Sequence, residues 1–112
     1  MGGGAKYFGE RNGSGCSVFA KHDFRWVPLR LQTNKAEYSP ADFDWGYMCR
    51  GAAQLALAIL VDHLKNRVRA LALYEDFEFM VVARLNRNEW LLSEEEIDGA
   101  ISEIECRPKA VA

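Results

Sequence analysis

The segment from Gly51 to Asn66 constrains the fold more than any other part of the chain. It contains an unbroken apolar run, Leu55 to Val61, and small alanines that permit close packing. Larger apolar residues recur at helical spacing, at Leu57, Leu60, Val61 and Leu64. A helix that is apolar on nearly all sides is typical of a buried central helix. The run is far shorter than the roughly 18 residues that a membrane span needs, so we expect no membrane association.

Three extended segments are predicted before this helix. Lys6–Gly9 and Cys16–Ala20 flank the turn cluster Asn12–Gly15 and form a plausible hairpin. Phe24–Leu31 is the third segment. Because Pro28 has no amide hydrogen to donate, this strand should lie at a sheet edge or break there.

Ser39-Pro40, before the central helix, indicates a one-turn helix. Two further helices and one loop are predicted after the central helix. Val68–Leu85 has helical spacing, although residues 77–83 also fit a strand. Asn86–Leu92 is predicted as a loop. The sequence Ser93-Glu94-Glu95-Glu96 is a capping box, which starts a last helix that runs to about residue 105.

These elements predict an α+β fold. A small N-terminal antiparallel sheet of two or three strands is followed by three helices, with the central helix buried. The length of 112 residues indicates one domain over residues 1–112. We expect residues 1–5 to be disordered or tag-like, and residues 106–112 to form a tail.

The charge distribution bears on the choice of partner. The net charge is −2, and the acidic excess lies in residues 51–112, which hold eleven Asp and Glu against seven Lys and Arg. This balance argues against direct nucleic-acid binding, which needs a basic face. The last helix concentrates the acidic residues of interest, Glu94, Glu95, Glu96 and Asp98. They are either a solvated helix face or a docking surface for a basic protein.

Cysteine and histidine usage excludes several classes. Three cysteines, none in a C-x-x-C pair, argue against a disulfide scaffold and favour a reducing, cytoplasmic compartment. No spacing of cysteines with His22 or His63 matches a zinc site, so no metal is expected. No nucleotide-binding or hydrolase motif is present, and we expect no cofactor and no catalytic constellation.

The turn before the central helix is the most distinctive local feature. It contains Trp45, Gly46, Tyr47, Arg50 and Gly51. Amides at a helix start favour anions, an arginine binds phosphate or carboxylate, and aromatic rings stack on bases. The turn is therefore a candidate site for a small ligand or nucleotide. The alternative is a tight turn whose aromatic side chains pack in the core.

Two other possibilities stay open at this stage. An enzyme would use Cys49, at the same helix start, with His22, His63 or a carboxylate as the base, and Asp62 is a separate candidate; the alternative for Cys49 is a buried, inert cysteine. The apolar edge strand that contains Phe24, Trp26 and Val27 leaves a homodimer open as an alternative to a monomer.

Several blocks follow one another in a fixed order, namely Lys6-Tyr7-Phe8-Gly9, Asp44-Trp45-Gly46-Tyr47, Ala53-Gln54-Leu55-Ala56-Leu57-Ala58-Ile59-Leu60, and Trp90-x-Leu92-Ser93. Through these blocks the chain resembles a small prokaryotic domain family of unknown function that is often borne by phages and plasmids. Relatives have a richer glycine loop ending in proline where this chain has Met48 to Ala52, which weakens a phosphate cradle here. The resemblance implies a mobile-element accessory gene and no activity.

Our leading functional hypothesis is a non-enzymatic accessory protein that acts through protein–protein contact. Within this class we place an inhibitor of a host defence complex, such as an anti-CRISPR protein, because such inhibitors can be small and acidic and can occupy nucleic-acid sites. A ligand or nucleotide binder at the Trp45–Gly51 turn is the first alternative. A minor enzyme using Cys49 and His22 is the second.

Overall fold

A four-stranded antiparallel sheet and three helices make up the described part of the chain. The computed structural model of the protein describes residues 4–13, 15–30 and 43–106. The strands are β1 (Ala5–Asn12), β2 (Gly15–His22), β3 (Arg25–Pro28) and β4 (Glu89–Ser93). The helices are α1 (Arg50–Leu64), α2 (Arg67–Met80) and α3 (Glu94–Cys106), with a 3₁₀ turn at Val82–Arg84.

The sheet has four strands, whereas the sequence predicts two or three. Its order is β3-β2-β1-β4, and all neighbours are antiparallel. The segment predicted as a loop forms β4, in which Trp90 and Leu92 are buried while Glu89 and Leu91 are exposed. So short an alternation is a weak local signal. Its pairing partner, β1, lies about 80 residues earlier, and a long-range pairing leaves no trace in the local pattern.

The three extended segments predicted before α1 form strands, although the third covers only Arg25–Pro28 of the predicted Phe24–Leu31 and Phe24 lies in the turn before it. β1 and β2 form the hairpin, with Phe8 opposite Phe19. β3 is the sheet edge, and it ends at Pro28, the residue that cannot donate to a further ladder. The predicted one-turn helix at Ser39-Pro40 lies outside the described residues. Ala5 already belongs to β1, and Cys106 ends α3.

The central helix is buried as predicted. α1 starts at Arg50 and ends at Leu64, and every residue from Leu55 to Leu60 is buried. The sheet contributes to the same core through Tyr7, Val18 and Leu92. α1 ends where Lys65 adopts a left-handed conformation, with φ of 55°.

The second helix is shorter than expected. It continues through Phe77 but ends at Met80, five residues before the predicted end at Leu85. The carbonyl of Val82 accepts a hydrogen bond from the Gly46 amide at 3.0 Å. The backbone after α2 therefore supports the turn before α1 instead of extending the helix.

The third helix begins as the capping box predicts. The Ser93 hydroxyl accepts from the Glu96 amide at 3.1 Å, and the Glu96 carboxylate accepts from the Ser93 amide at 2.9 Å. No helix in the described ranges has the length and apolar character that a membrane crossing requires.

Candidate functional site

The face of the sheet that points away from the helices carries a row of apolar side chains. Cross-strand pairing aligns Leu91 with Phe8, Phe8 with Phe19, and Phe19 with Pro28, so that the row crosses all four strands. Trp26 of β3 leans over the row, with its ring centroid 6.0 Å from that of Phe8. We call this surface the open face.

The open face is a shallow apolar depression. Its volume is about 370 Å³, and its walls are Phe8, Phe19, Trp26 and Leu91. Leu91 is 59% exposed and Trp26 is 42% exposed, whereas Trp90 and Leu92, the neighbours of Leu91 on the inner face, belong to the core. Contiguous exposed aromatic and aliphatic groups of this kind mark interaction sites more often than scattered ones do.

Charged side chains flank the apolar row, with one sign on each side. Glu10 pairs with Glu89 across β1 and β4, one side-chain step from the row. On the other side lie Lys6 and Lys21, and the Lys21 ammonium lies 5.8 Å from the centroid of the Trp26 ring. The open face therefore has three parallel rows, which are acidic, apolar and basic.

Sequence reasoning missed part of this surface. The predicted hairpin already placed Phe8 and Phe19 on neighbouring strands, and a register count from its turn would have paired them. Leu91 was missed because β4 was taken for a loop. The candidate edge residues Trp26 and Val27 lie in β3, and Val27 pairs with Ala20 toward the inner face.

The predicted turn site divides between core and surface. Trp45 is fully buried, and its indole N–H donates to the Arg87 carbonyl at 3.0 Å. Its ring meets Trp90 edge-on, with centroids 5.6 Å apart. Gly46, with φ of +90°, reverses the chain immediately after it. Trp45 is thus an anchor of the core.

The rest of the turn lies nearer the solvent. Tyr47 is 44% exposed, and its hydroxyl donates to Asp44 at 2.7 Å. The Arg87 guanidinium lies over the Tyr47 ring at 5.4 Å. Arg50 and Gly51 form the first turn of α1, where the Cys49 sulfur accepts from the Ala52 amide at 3.4 Å. A ligand site at this turn stays a prediction.

Asp44 is the electrostatic centre of that turn. Burial tends to raise the pKa of Asp44, but hydrogen bonds from Arg11, Tyr47 and the Trp45 amide outweigh it and hold the pKa below its ordinary value. The pKa of Tyr47 is raised to about 12, mainly by the hydrogen bond to Asp44 and secondly by the neighbouring Cys49. Asp44 is therefore an ionised acceptor that fixes the turn.

The structure brings together two of the three residues of the enzyme hypothesis, His22 and Asp62, and separates both from Cys49. Cys49 caps the start of α1, whereas His22 contacts Asp62 near the end of the same helix, with 3.0 Å between Nε2 and Oδ1. At 1.5 Å per residue, the length of the helix separates the two by about 20 Å. The structure thus brings His22 to Asp62 and not to the Cys49 thiol.

The four acidic candidates on α3 have different surroundings. Glu94 lies 3.8 Å from Lys6, Glu96 belongs to the capping box, and the Asp98 carboxylate lies 2.6 Å from His63. Glu95 is exposed in the first turn. As a docking surface they stay a prediction. Across residues 4–13, 15–30 and 43–106, no group of three His, Cys, Asp or Glu side chains could hold a metal ion.

Comparison with known proteins gives a family and no activity. The family model described as a family of unknown function, DUF6166, matches residues 7–103. The chain belongs to this family. The match begins at Tyr7 in β1 and ends in α3, so it includes every element of the sheet and all three helices. No curated protein and no solved structure matches.

Proposed function

We propose that this DUF6166 member is a non-enzymatic binding protein that assembles through its open face, and that the occupant of this face is a second copy of the chain. The single observation behind the proposal is the order of the three rows. A two-fold axis along the apolar row would place each acidic row against the basic row of the other copy. Such an isologous contact must be self-complementary, and this face is.

This arrangement makes a specific pair. The axis would place β1 of one copy over β1 of the other, so that Lys6 of each faces Glu10 of its partner. Phe8, Phe19 and Leu91 would pack between the two sheets, as in an aligned sandwich. A polyanion such as single-stranded nucleic acid would instead meet Glu10 and Glu89, which disfavours it as an occupant.

The size of the face is typical of a weak, transient interface. Four strands spaced about 4.8 Å apart give a width of about 19 Å, and five residues give a length of about 17 Å. The resulting area is below the roughly 800 Å² that each partner contributes to a standard interface. We therefore expect a dissociation constant in the micromolar range, and the experiment must cover concentrations above it.

Sedimentation velocity over a concentration series tests the proposal. The mass should rise from 12.7 kDa toward twice that value. Lys6→Glu and Glu10→Lys should each weaken association, and the double variant, which exchanges the two signs, should restore it. Glu94→Gln is the control, because Lys6→Glu also removes the exposed Lys6–Glu94 pair. A protein that stays at 12.7 kDa, or a double variant that stays monomeric while folded, would contradict the proposal.

For the external partner we propose a basic protein that docks on the acidic residues of α3. A dimer would present two copies of Glu94, Glu95 and Asp98, which strengthens a weak contact through bivalency. A partner captured from host lysate and then purified should rebind directly. Glu94→Lys with Glu95→Lys should abolish rebinding, while Glu103→Lys on the same helix should not. These substitutions leave the capping Glu96 in place.

Inhibition of a host defence complex by a phage or plasmid protein is the specific form of this contact that we propose. Purified CRISPR effector complexes provide the direct assay, with target cleavage measured at increasing protein concentration. Inhibition of target cleavage that is lost in the double variant Glu94→Lys, Glu95→Lys would support this form of the proposal. Uninhibited cleavage by the panel of complexes from the host would reject this form and leave the assembly proposal intact.

A further inference from the structure

A cavity on the helix side of the sheet joins apolar walls to polar groups, and it shares only Pro28 with the apolar row of the open face. Its volume is about 880 Å³, which lies within the range of small-molecule sites. The apolar wall comes from Ala20, Val27, Pro28, Leu29 and Val61, at one end of β2, β3 and α1. None of the predicted site residues at the Trp45–Gly51 turn lines it.

Asp62 is the centre of the polar side of this cavity. The buried Tyr7 hydroxyl donates to Asp62 at 2.6 Å, and His22 Nε2 lies 3.0 Å from the other carboxylate oxygen. Lys65 lies 3.6 Å away. Although burial tends to raise the pKa of Asp62, these partners outweigh burial and hold it below the ordinary value. The carboxylate is therefore ionised and its charge is already compensated from within the chain.

The ionisation of Asp62 determines the direction of its hydrogen bond with His22. An ionised carboxylate only accepts hydrogen bonds, so His22 Nε2 must donate to it. This contact fixes the orientation of the imidazole, whose second nitrogen, Nδ1, takes no part in it. The His22 side chain is 39% exposed and lines the cavity. An oriented imidazole at a cavity wall is suited to hydrogen-bond a polar group of a ligand.

The remaining charges of the cavity are positive. Arg30, Lys65 and Arg67 line it, against the single carboxylate of Asp62. Lys65 pairs with Asp62 at 3.6 Å, so the positive side chains at the rim beyond that pair are Arg30 and Arg67. A ligand that satisfies both the cationic rim and the apolar wall must be an anion that bears a compact apolar group.

We propose that this cavity binds a small organic anion, with a phosphate or carboxylate at Arg30 and Lys65 and its apolar part against Val27 and Val61. The orienting pair Asp62–His22 provides the further polar contact. The inference is independent of the assembly proposed above, because the open face lies on the other side of the sheet.

Amide NMR titration of the full chain tests this site with defined probes. Phenyl phosphate and benzoate each combine an anion with an apolar ring, inorganic phosphate lacks the ring, and benzyl alcohol lacks the charge. We expect phenyl phosphate or benzoate to shift the signals of His22, Val27, Val61 and Lys65 saturably. The tighter of the two identifies phosphate or carboxylate as the preferred group. Inorganic phosphate and benzyl alcohol should bind at least about tenfold more weakly.

Matched variants separate the cavity from general electrostatics. Arg30→Gln with Lys65→Gln should raise the dissociation constant about tenfold, which corresponds to about 1.4 kcal/mol. Lys21→Gln, on the open face, should leave it unchanged. Lys6→Glu should also leave it unchanged, whether or not the protein dimerises. No saturable shift with either ring-bearing anion, equal binding of inorganic phosphate, or an equal loss in Lys21→Gln would overturn the proposal.

Discussion

Trp90 of β4 lies across Gly9, its pairing partner in β1. The indole occupies the space on the inner face where a side chain at position 9 would project, and its edge then meets Trp45 with an interplanar angle of 83°. A glycine is needed here for the close approach of a ring and not for a special backbone conformation. The contacts of Trp90 therefore connect β4 with β1 of the hairpin and with the turn before α1.

Gly9→Ala should destabilise the protein by about 1–3 kcal/mol, the usual cost of overpacking a core. A Cβ at this position would overlap the Trp90 ring, which is only 6% exposed and has little room to move. Gly99→Ala is the matched control, because a Cβ there meets no atom within 4 Å and alanine favours the helix. Urea denaturation should show opposite signs for the two variants; equal effects would contradict the contact.

Trp45→Ala should lower the free energy of unfolding by about 3–5 kcal/mol, the range for a large buried aromatic. Trp45 is fully buried and its indole N–H is hydrogen-bonded, so both packing and a polar contact are lost. Tyr47→Ala, two residues away at 44% exposure, should cost much less. Thermal unfolding of both variants checks this, and an unchanged melting temperature for Trp45→Ala would return the turn to the role of a ligand site.

Tyr7→Phe should cost about 1–3 kcal/mol, because it removes a donor from the part-buried Asp62 carboxylate. The pKa of Asp62 is lowered in the folded state, so its contribution is full above the unfolded value of about 3.9 and is lost as the pH falls through the lower folded value. The wild type should therefore lose more stability than Tyr7→Phe between about pH 5 and pH 2. Denaturation at several pH values measures the difference, with Tyr74→Phe on α2 as the control.

The stability difference between Glu78→Gln and the wild type should change with pH in the opposite direction to that of Tyr7→Phe. Burial is the main cause of the raised pKa of Glu78, and the charge of Glu75 adds to it, while a hydrogen bond from the Cys49 amide opposes it. The folded state then holds the proton more tightly than the unfolded chain, so stability falls as the pH rises from about 4.3 through the folded value. Glutamine keeps an acceptor without the charge.

The advantage of Glu78→Gln over the wild type should consequently be larger at pH 7 than at pH 4. Glu103→Gln, at an exposed position of α3, serves as the control and should show no such trend. Parallel denaturation curves at the two pH values are sufficient. If the stability difference between Glu78→Gln and the wild type were the same at pH 4 and pH 7, the pKa of Glu78 would not differ between the folded and unfolded states, and the prediction would be wrong.

Local signals in the sequence were enough for elements whose causes lie within a few residues. The apolar run of α1 predicts a buried helix because a helix on the surface would leave many of these leucines and alanines in contact with water. The Ser93–Glu96 box predicts the start of α3 because both hydrogen bonds close within one turn. Pro28 predicts a sheet edge because its missing N–H is a property of the residue itself.

Only the tertiary structure determined the features that depend on distant pairing. β4 is a strand because β1 offers it a ladder and because the Trp90 indole fits over Gly9, and neither condition is visible near position 90. α2 ends at Met80, and the Val82 carbonyl beyond it accepts from the Gly46 amide, which lies 36 positions earlier in the chain. The open face and the Asp62 cavity depend on register and on helix placement, which bring together residues up to 83 positions apart, as Phe8 and Leu91 are. The sequence by itself determined which segments must be buried or capped, since those costs are local, whereas the partners that meet those needs were determined by packing.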